Sequence, residues 1–456
     1  MLPRLDYKDF SRRNIFMGDT FLRDVKDTLD GCIHELDEIR SLFCRNPNSD
    51  YTRNRKITFS EMINLMIKLQ SKALPNEMMD YFDHDISTPS VSAFIQQREN
   101  LLFEGWEYLL HRFIEEGYTL TSPLYRGYRL LACDGSDINI FRNPNDPDTF
   151  IHEGERGYNA IHLNALYDLK AGTYCDIQMQ GKKKLHERQA LNAMIDRYSY
   201  DTPSIIIADR GYESFNVFAH CMRKNVHFLI RMKDVSSNGI LSAYDLPSAE
   251  EFDTYIETTL TRRHTKETIS NPDVYTILAP GTDFDFLNQS NTVYPIRFRI
   301  VCFQTPGGKY VSVATTLPEE EFTLEDIKNL YRMRWGEETS FRELKYTVGL
   351  INFHSKRRDL IEQEVVARVI LYNFCQMVTK HAADELSKTE SDTGKYRYKI
   401  NFATAVNICR AYLKSGGDEN DLLKLIQKHL SSIKCDAKYP LHLRPKRNRD
   451  FVYRAA

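Results

Sequence analysis

The sequence has no long apolar stretch and no concentrated set of cysteines. No run reaches the roughly 18 apolar residues that a transmembrane helix needs, so we expect no membrane span. The nine cysteines are scattered, without a CxxC pair and without a cysteine and histidine cluster at zinc spacing. A disulfide framework and a structural zinc site are therefore not expected, and the thiols should be reduced, as they are in a cytosol.

A strong excess of either charge is also missing. The 456 residues carry a formal net charge of −2, so a surface that binds nucleic acid must be local. The first residues, MLPRLDYKDFSRR, lack the apolar core of a signal peptide, and we expect a cytoplasmic protein. What is present is ordinary globular composition, with 42% apolar and 27% charged residues. The length predicts roughly two to four domains.

Residues 1–118 are predicted to form a helical N-terminal region that binds DNA. Helix-length patterns such as SEMINLMIKLQ, with Ser60 as the expected N-cap, alternate with short turns. The last pattern begins at SVSAFIQQREN and is rich in serine, glutamine and arginine, which is typical of a helix-turn-helix-like module. From the pattern alone, a plain helical bundle is an equally good interpretation.

Strand patterns take over in residues 119–233. RGYRLLACDGSDINI, NAIHLNALYDL and TYCDIQMQ are followed by a helix, the apolar strand SIIIA, a second helix and the strand HFLIRM. This order predicts a mixed α/β sheet of the ribonuclease H type. Residues 234–316 are again rich in strand patterns, joined by glycine, asparagine and proline turns, and they predict a β insertion within this core.

The remaining residues return to helical patterns. Residues 317–385 should complete the core, and residues 386–456 contain a polar linker, two short helices and the basic tail KYPLHLRPKRNRDFVYR. The predicted fold class is therefore α/β. It is a ribonuclease H-like catalytic core with a mixed sheet, interrupted by a β-rich insertion and flanked by helical N-terminal and C-terminal regions.

Two aspartates lie at notable strand positions. Asp134 is in the apolar strand LLACDGSDI, where a carboxylate is costly unless it is paired or binds a metal. Asp209 directly follows SIIIA, at the edge where α/β sheets commonly place ligand sites. Each signal alone is weak, because an aspartate at the end of a strand often forms a turn or caps the next helix.

The helix YRMRWGEETSFRELK, residues 331–345, carries two adjacent glutamates. At roughly 100° per residue, Tyr331, Arg334, Glu338 and Lys345 fall on one stripe, whereas Glu337 points into the adjoining apolar stripe. Glu338 is therefore the predicted functional carboxylate. Without the two aspartates, an exposed face with an Arg334–Glu338 salt bridge would be the better interpretation.

Taken together, these patterns resemble those of a known family. The spacing Tyr331-x2-Arg334-x3-Glu338-x6-Lys345 is similar to the YREK signature of bacterial insertion-sequence DDE transposases of the insertion-sequence-four type. DGS at 134–136 and ADRGY at 208–212 resemble the segments that hold the first two catalytic aspartates of that family. Similar sequence also flanks the signature on both sides, and the resemblance covers most of residues 50–380.

The resemblance implies catalytic and metal-binding roles for Asp134, Asp209 and Glu338. Two Mg²⁺ ions, which Mn²⁺ can replace, would support hydrolysis at the transposon end and attack of the freed 3′-OH on target DNA. Whether a hairpin forms between these steps is left open by the sequence. The expected protein is a bacterial, nucleoid-associated transposase that works as a homodimer on double-stranded DNA and binds its own terminal inverted repeats.

The other signature residues are expected to contact DNA. Arg334 and Lys345 are placed to hold phosphates of the terminal nucleotides. Tyr331 can donate a hydrogen bond to a phosphate, although a tyrosine packed at the domain surface is an alternative.

Further cationic side chains are candidate DNA contacts. Lys356, Arg357 and Arg358 can follow the DNA backbone, although a solvated charge run is almost as good an interpretation. Arg262 and Arg263 belong to the β insertion, which family analogy places against the DNA end, where an aromatic ring stacks on a displaced base. The candidates for that ring are Tyr255, Tyr275, Phe284 and Phe286.

Two other functions fit the same sequence. A ribonuclease H-fold DNA nuclease would hydrolyse without strand transfer, and capture of a target by the 3′-OH separates this function from transposition. A catalytically silent DNA-binding relic would show no metal-dependent cleavage.

Overall fold

The chain is described by a computed structural model, in which no described helix is long and apolar enough to cross a membrane. The eight cysteines in the described residues are free and buried. The basic tail lies outside these residues, apart from its residues 452–453. The described residues are 20–53, 55–121, 123–199, 201–234, 237–247, 249–305, 307–389, 397–433 and 452–453.

The N-terminal region is helical, and its helices are α1 (Phe21–Glu38), α2 (Phe59–Lys68), α3 (Leu74–Tyr81), α4 (Val91–Glu99) and α5 (Phe103–Thr121). The prediction that Ser60 is the N-cap of α2 is wrong by two residues. Thr58 has the extended backbone that a cap needs, and its hydroxyl accepts a hydrogen bond from the Glu61 N–H at 3.2 Å. Ser60 lies inside the helix and donates to Asp37 at 2.6 Å.

A ten-stranded mixed sheet follows. Its first half contains β1 (Arg129–Ile140), β2 (Phe150–Ile151), β3 (Tyr158–Asp168), β4 (Thr173–Gly181), α6 (Glu187–Arg197), β5 (Ser204–Ala208), α7 (Phe215–Arg223) and β6 (His227–Arg231). β3 pairs antiparallel with β1, β2 and β4, whereas β5 runs parallel to both β1 and β6. The order β4–β3–β1–β5–β6 is the strand order of a ribonuclease H-like fold, so this prediction is confirmed.

The strands of the predicted insertion extend the same sheet. They are β7 (Phe252–Thr261), β8 (Tyr275–Ile277), β9 (Val293–Gln304) and β10 (Tyr310–Thr315), with α8 (Lys266–Ser270) between the first two. β10 pairs antiparallel with β6, and β9, β7 and β8 follow outward in that order. The insertion therefore continues the core sheet at the edge opposite β4.

Alternating side chains of the central strands pack on opposite faces of the sheet. Leu130, Ile205 and Ile207 form one apolar layer with α9 (Leu324–Met333). The alternate residues of these strands, such as Cys133 on β1, point to the other face of the sheet. They belong to the larger core that the N-terminal and C-terminal helices share. β5 is buried along its whole length, because helices cover both faces there.

The C-terminal part contains α10 (Trp335–Glu343), β11 (Asn352–Phe353), α11 (Arg358–Thr389), β12 (Arg397–Ile400), α12 (Phe402–Ser415), α13 (Glu419–Lys428), β13 (Leu430–Ile433) and β14 (Val452–Tyr453). α11 has 32 residues and is about 48 Å long. β11 pairs with β14, and β12 pairs with β13. α11 contacts both the N-terminal helices and β4, so it joins these two parts of the chain.

Buried arginines connect the N-terminal region to α11 through an ion pair and hydrogen bonds. Arg98 of α4 is 1% exposed and donates to Oε1 of Glu364 at 2.9 Å. Arg368 of α11 donates to the backbone oxygens of Gln70 and Val348 at 2.9 and 3.0 Å. Arg98 is the arginine of the helix-turn-helix-like pattern SVSAFIQQREN, and it is therefore engaged inside the protein.

Candidate active site

Asp134 and Asp209 lie side by side where the parallel pairing of β1 with β5 ends. The register pairs Cys133 with Ala208, so the two aspartates occupy the next position on each strand. Oδ1 of Asp134 accepts a hydrogen bond from the Gly135 N–H at 2.8 Å. The two carboxylates thus share one edge of the parallel strands, which is where sites form in such sheets.

Arg334 connects Asp134 to Glu338. This arginine follows α9 directly and is 7% exposed. Its Nη2 donates to Oε1 of Glu338 at 3.1 Å, and its Nη1 lies 3.9 Å from Oδ2 of Asp134. One guanidinium therefore spans the first and third of the predicted catalytic carboxylates.

Burial and neighbouring charges both change the pKa of Asp134. Burial raises the pKa of Asp134, and the negative charges of Asp209 and Glu338 raise it further. The Gly135 N–H and the Arg334 guanidinium oppose this shift of the Asp134 pKa. Asp134 is thus close enough to Asp209 and to Glu338 for its charge to be repelled by theirs, and a bound cation would relieve that repulsion.

The two adjacent glutamates face different environments, as the helical pattern predicts. Glu337 is fully buried, and its carboxyl group lies beside the backbone N–H of Asp134. The side chain of Glu338 is 43% exposed. Burial raises the pKa of Glu337 well above its usual value, and the charge of Asp134 reinforces the shift. The orientation agrees with the prediction, whereas the catalytic role of Glu338 stays a prediction.

The signature helix is irregular near its end. After α10, a π-helical turn spans Leu344–Val348, and such turns are frequent at functional sites. Lys345 lies in this turn, and its Nζ donates to Oγ of Ser136 and to the backbone oxygen of Asp137, both at 2.6 Å. The signature lysine therefore lies against the strand that carries Asp134.

Tyr331 is placed differently from the other signature residues. It is 8% exposed and belongs to the apolar layer between α9 and the sheet, where its ring lies 6.4 Å from that of Phe303. This packing agrees with the alternative of a packed tyrosine, and a contact of Tyr331 with phosphate stays a prediction.

The donor chemistry at these strand ends suits a hard divalent cation. Asp134, Asp209 and Glu338 offer carboxylate oxygens, which Mg²⁺ and Mn²⁺ prefer. In the described part of the chain, no three acidic, histidine or cysteine side chains are grouped closely enough to hold a metal ion. The donors therefore fit such an ion in charge and type.

The predicted basic run 356–358 lies at the start of α11. Nζ of Lys356 is 4.9 Å from the centre of the Phe141 ring. Arg357 and Arg358 form ion pairs with nearby carboxylates. His354, which precedes the run, is buried. The run is partly engaged within the protein, and its contact with DNA stays a prediction.

Arg262 and Arg263 follow the end of β7 and are exposed. Arg262 donates to the backbone oxygen of Thr282 at 2.6 Å. Of the aromatic candidates, Phe284 is 5% exposed and thus belongs to the core, whereas Tyr255 is 39% exposed. Within the described part of the chain, none of these side chains forms a hydrogen bond or an ion pair with Asp134, Asp209 or Glu338, and their roles stay predictions.

A polar network beside the aspartates was not predicted from the sequence. His162 of β3 is 4% exposed, and its Nδ1 lies 2.6 Å from Oδ1 of Asp137. Its Nε2 lies 3.2 Å from Oε1 of Glu187. The available signal was a histidine within the strand pattern NAIHLNALYDL, but its partners depend on the sheet register, which pairs His162 with Asp137.

Comparison with known proteins places these residues within one family. No curated protein matches the sequence. Among solved structures, the piggyBac transposase synaptic complex with hairpin DNA matches with a TM-score of 0.41 and 10% sequence identity, over 90% of this chain and 80% of that chain. The model of the transposase DDE domain family matches residues 125–374, which is more than half of the chain and includes Asp134, Asp209 and Glu338. The chain therefore belongs to the transposase DDE domain family.

Proposed function

We propose that this chain is the transposase of a bacterial insertion sequence with the YREK signature. It binds the terminal inverted repeats of its own element, cleaves the DNA there and joins the 3′-OH end to target DNA. The observation that carries the proposal is the position of Asp134 beside Asp209, with Arg334 linking Asp134 to Glu338.

Asp134, Asp209 and Glu338 are the residues that would hold the divalent cations, Mg²⁺ or its substitute Mn²⁺. When bound, such ions supply an activated oxygen nucleophile and stabilise the leaving oxygen in an in-line displacement at phosphorus. Arg334 holds the carboxylates of Asp134 and Glu338 towards each other before the cations arrive, because its guanidinium contacts both.

Positively charged side chains around the carboxylates would position the DNA. Lys345 contacts Ser136 and Asp137, which lie two and three residues beyond Asp134 on β1. A phosphate that Lys345 holds would therefore lie next to the catalytic edge. Lys356, Arg357 and Arg358 would extend this contact, and Arg262 and Arg263 would hold the DNA from the insertion. We further propose that residues 1–118 recognise the repeat and that two chains act together, since two ends must be processed.

The test is cleavage of DNA that flanks the coding copy of this gene. Wild type, Glu337→Gln and Glu338→Gln are compared in Mg²⁺ and in chelator, with a labelled target plasmid present. We expect cleavage at the repeat boundary and end joining by wild type and Glu337→Gln, and neither by Glu338→Gln.

Other results would point elsewhere. Cleavage without joining would indicate the nuclease, and DNA binding without any cleavage would indicate the relic. Loss of activity in Glu337→Gln with an active Glu338→Gln would exchange the roles of the two glutamates.

A further inference from the structure

His162 is a buried histidine held between two carboxylates. Its Nδ1 is 2.6 Å from Oδ1 of Asp137, and its Nε2 is 3.2 Å from Oε1 of Glu187. Asp137 also pairs with Lys182 at 2.9 Å. Although burial opposes it, the two carboxylates raise the pKa of His162, which favours an imidazolium between two negative charges.

The imidazole lies directly against the segment that carries Asp134. A Cβ atom on Gly135 would be only 2.1 Å from Nε2 of His162, which is far inside contact distance. Gly135 is therefore required by the close approach of the ring to the backbone. Since Gly135 follows Asp134 and its N–H holds the Asp134 carboxylate, the ring supports the residue that orients that side chain.

The other side of the network reaches the segment that carries Asp209. Glu187 is the first residue of α6, and its Oε2 would be 3.6 Å from a Cβ atom on Gly211. The next residue, Arg188, donates from Nε to the backbone oxygen of Gly211 at 2.9 Å. The N–H of Gly211 in turn donates to Oδ1 of Asp209 at 2.7 Å. The start of α6 therefore fixes the turn that orients Asp209.

We propose that His162 is a positioning residue that sets the spacing of the two catalytic aspartates. It bridges Asp137, on the strand of Asp134, to Glu187, on the helix that holds the turn of Asp209. The inference rests on the proposed function, because the spacing of the aspartates matters only if they act together. Ligands of this kind must be held within about 0.5 Å, and a misplacement of about 1 Å can cost roughly 100-fold in rate.

The experiment compares His162→Ala, Gly135→Ala and the double variant with wild type. Three quantities are measured on the full chain: the rate of cleavage in saturating Mn²⁺, the affinity for Mn²⁺ by calorimetry, and the affinity for end DNA in chelator. For His162→Ala we expect a rate about 10- to 100-fold lower and a weaker Mn²⁺ affinity, with the DNA affinity within about twofold of wild type.

The double variant distinguishes a role of His162 as a bridge from a role in packing against Gly135. Removal of the ring makes room for the methyl group at residue 135, so thermal stability should recover relative to Gly135→Ala, whereas the rate and the Mn²⁺ affinity should not. Glu187→Gln should lower both the rate and the Mn²⁺ affinity, because it removes the charge at one end of the bridge.

His220→Ala is the matched control. His220 is also a buried histidine between two carboxylates, with Nδ1 2.8 Å from Asp196 and Nε2 3.0 Å from Asp285. It lies on α7, and its partners are Asp196, at the end of α6 away from Glu187, and Asp285, in the loop before β9. We expect a wild-type Mn²⁺ affinity for this variant.

Three results would overturn the inference: a folded His162→Ala chain with wild-type rate and Mn²⁺ affinity, full recovery of rate in the double variant, or an equal loss in His220→Ala. A wild-type chain that neither binds Mn²⁺ nor cleaves DNA would instead refute the proposed function.

Discussion

Nζ of Lys345 lies 2.6 Å from Oγ of Ser136, two residues beyond Asp134 on β1. The same ammonium group also donates to the backbone oxygen of Asp137. Both acceptors are on β1, so these contacts place the ammonium group beside the strand that carries Asp134. An ammonium group placed in this way is suited to hold a phosphate.

Removal of the Lys345 charge should therefore weaken binding of end DNA. For Lys345→Gln we expect a lower affinity and a shallower dependence of the binding constant on salt, by about one unit of slope, because one counterion fewer is released. Binding of repeat-end duplex is measured by fluorescence anisotropy from low to moderate salt. Lys328→Gln, on the preceding helix, is the control and should keep the wild-type slope. An unchanged slope in Lys345→Gln would show that the lysine only braces β1.

Glu337 should make the stability of the metal-free chain depend on pH. Because its pKa is raised in the folded state, the folded chain keeps this proton to higher pH than the unfolded chain does. Stability is therefore lost as pH rises above the ordinary carboxyl pKa of about 4.3. Glu337→Gln removes this penalty and should be more stable than wild type by about 1–3 kcal/mol at pH 8, with a smaller difference near pH 5.

Urea unfolding in chelator at the two pH values measures this difference. Glu325→Gln serves as the control, since the side chain of Glu325 on α9 is 62% exposed. Its effect should be small and the same at both pH values. If Glu337→Gln destabilised the chain equally at pH 5 and pH 8, the carboxyl group would have to be engaged in a contact that ordinary burial does not explain.

The ion pair between Arg98 and Glu364 should be a major contributor to stability. Both side chains are 1% exposed, so Arg98→Ala removes the arginine partner of a buried carboxylate, which then keeps, within the described residues, only its contacts with His354. We expect a loss of about 3–5 kcal/mol in the free energy of unfolding. The exposed pair of Arg297 with Glu257 is the matched comparison, with side chains 63% and 66% exposed.

Arg297→Ala should cost no more than about 1 kcal/mol. Denaturant unfolding of both variants gives the two values directly. Similar losses in the two variants would mean that burial does not increase the contribution of the Arg98–Glu364 pair to the free energy of unfolding.

The parts of the site that follow from local periodicity could be predicted. The opposite orientations of Glu337 and Glu338 need only a regular helix, and the segment around them is regular enough. Asp209 was identified because a fully apolar strand ends just before it. The series of strands and helices likewise predicts the sheet type, since each element is a local pattern.

The parts that depend on non-local register could not be predicted. Nothing in the sequence pairs Cys133 with Ala208, or His162 with Asp137, because those pairs form only when the sheet is assembled. The π-helical turn at Leu344–Val348 was not predicted either, because the local pattern indicates a regular helix through Lys345. Similarly, the strand patterns of the insertion do not reveal that β10 joins β6.

That junction has a consequence for how the chain folds. β10 pairs Val313 with Arg231, so the sheet closes only after the whole segment between them has been made and has folded back. Contacts of such large sequence separation are slow to form, because the entropy of a long loop is lost before any pairing is gained. Until then the edge of β6 is open and can pair with another chain. Synthesis of this protein therefore includes an interval in which the half of the sheet that carries Asp134 and Asp209 exists without strands β7 to β10 and needs protection from aggregation.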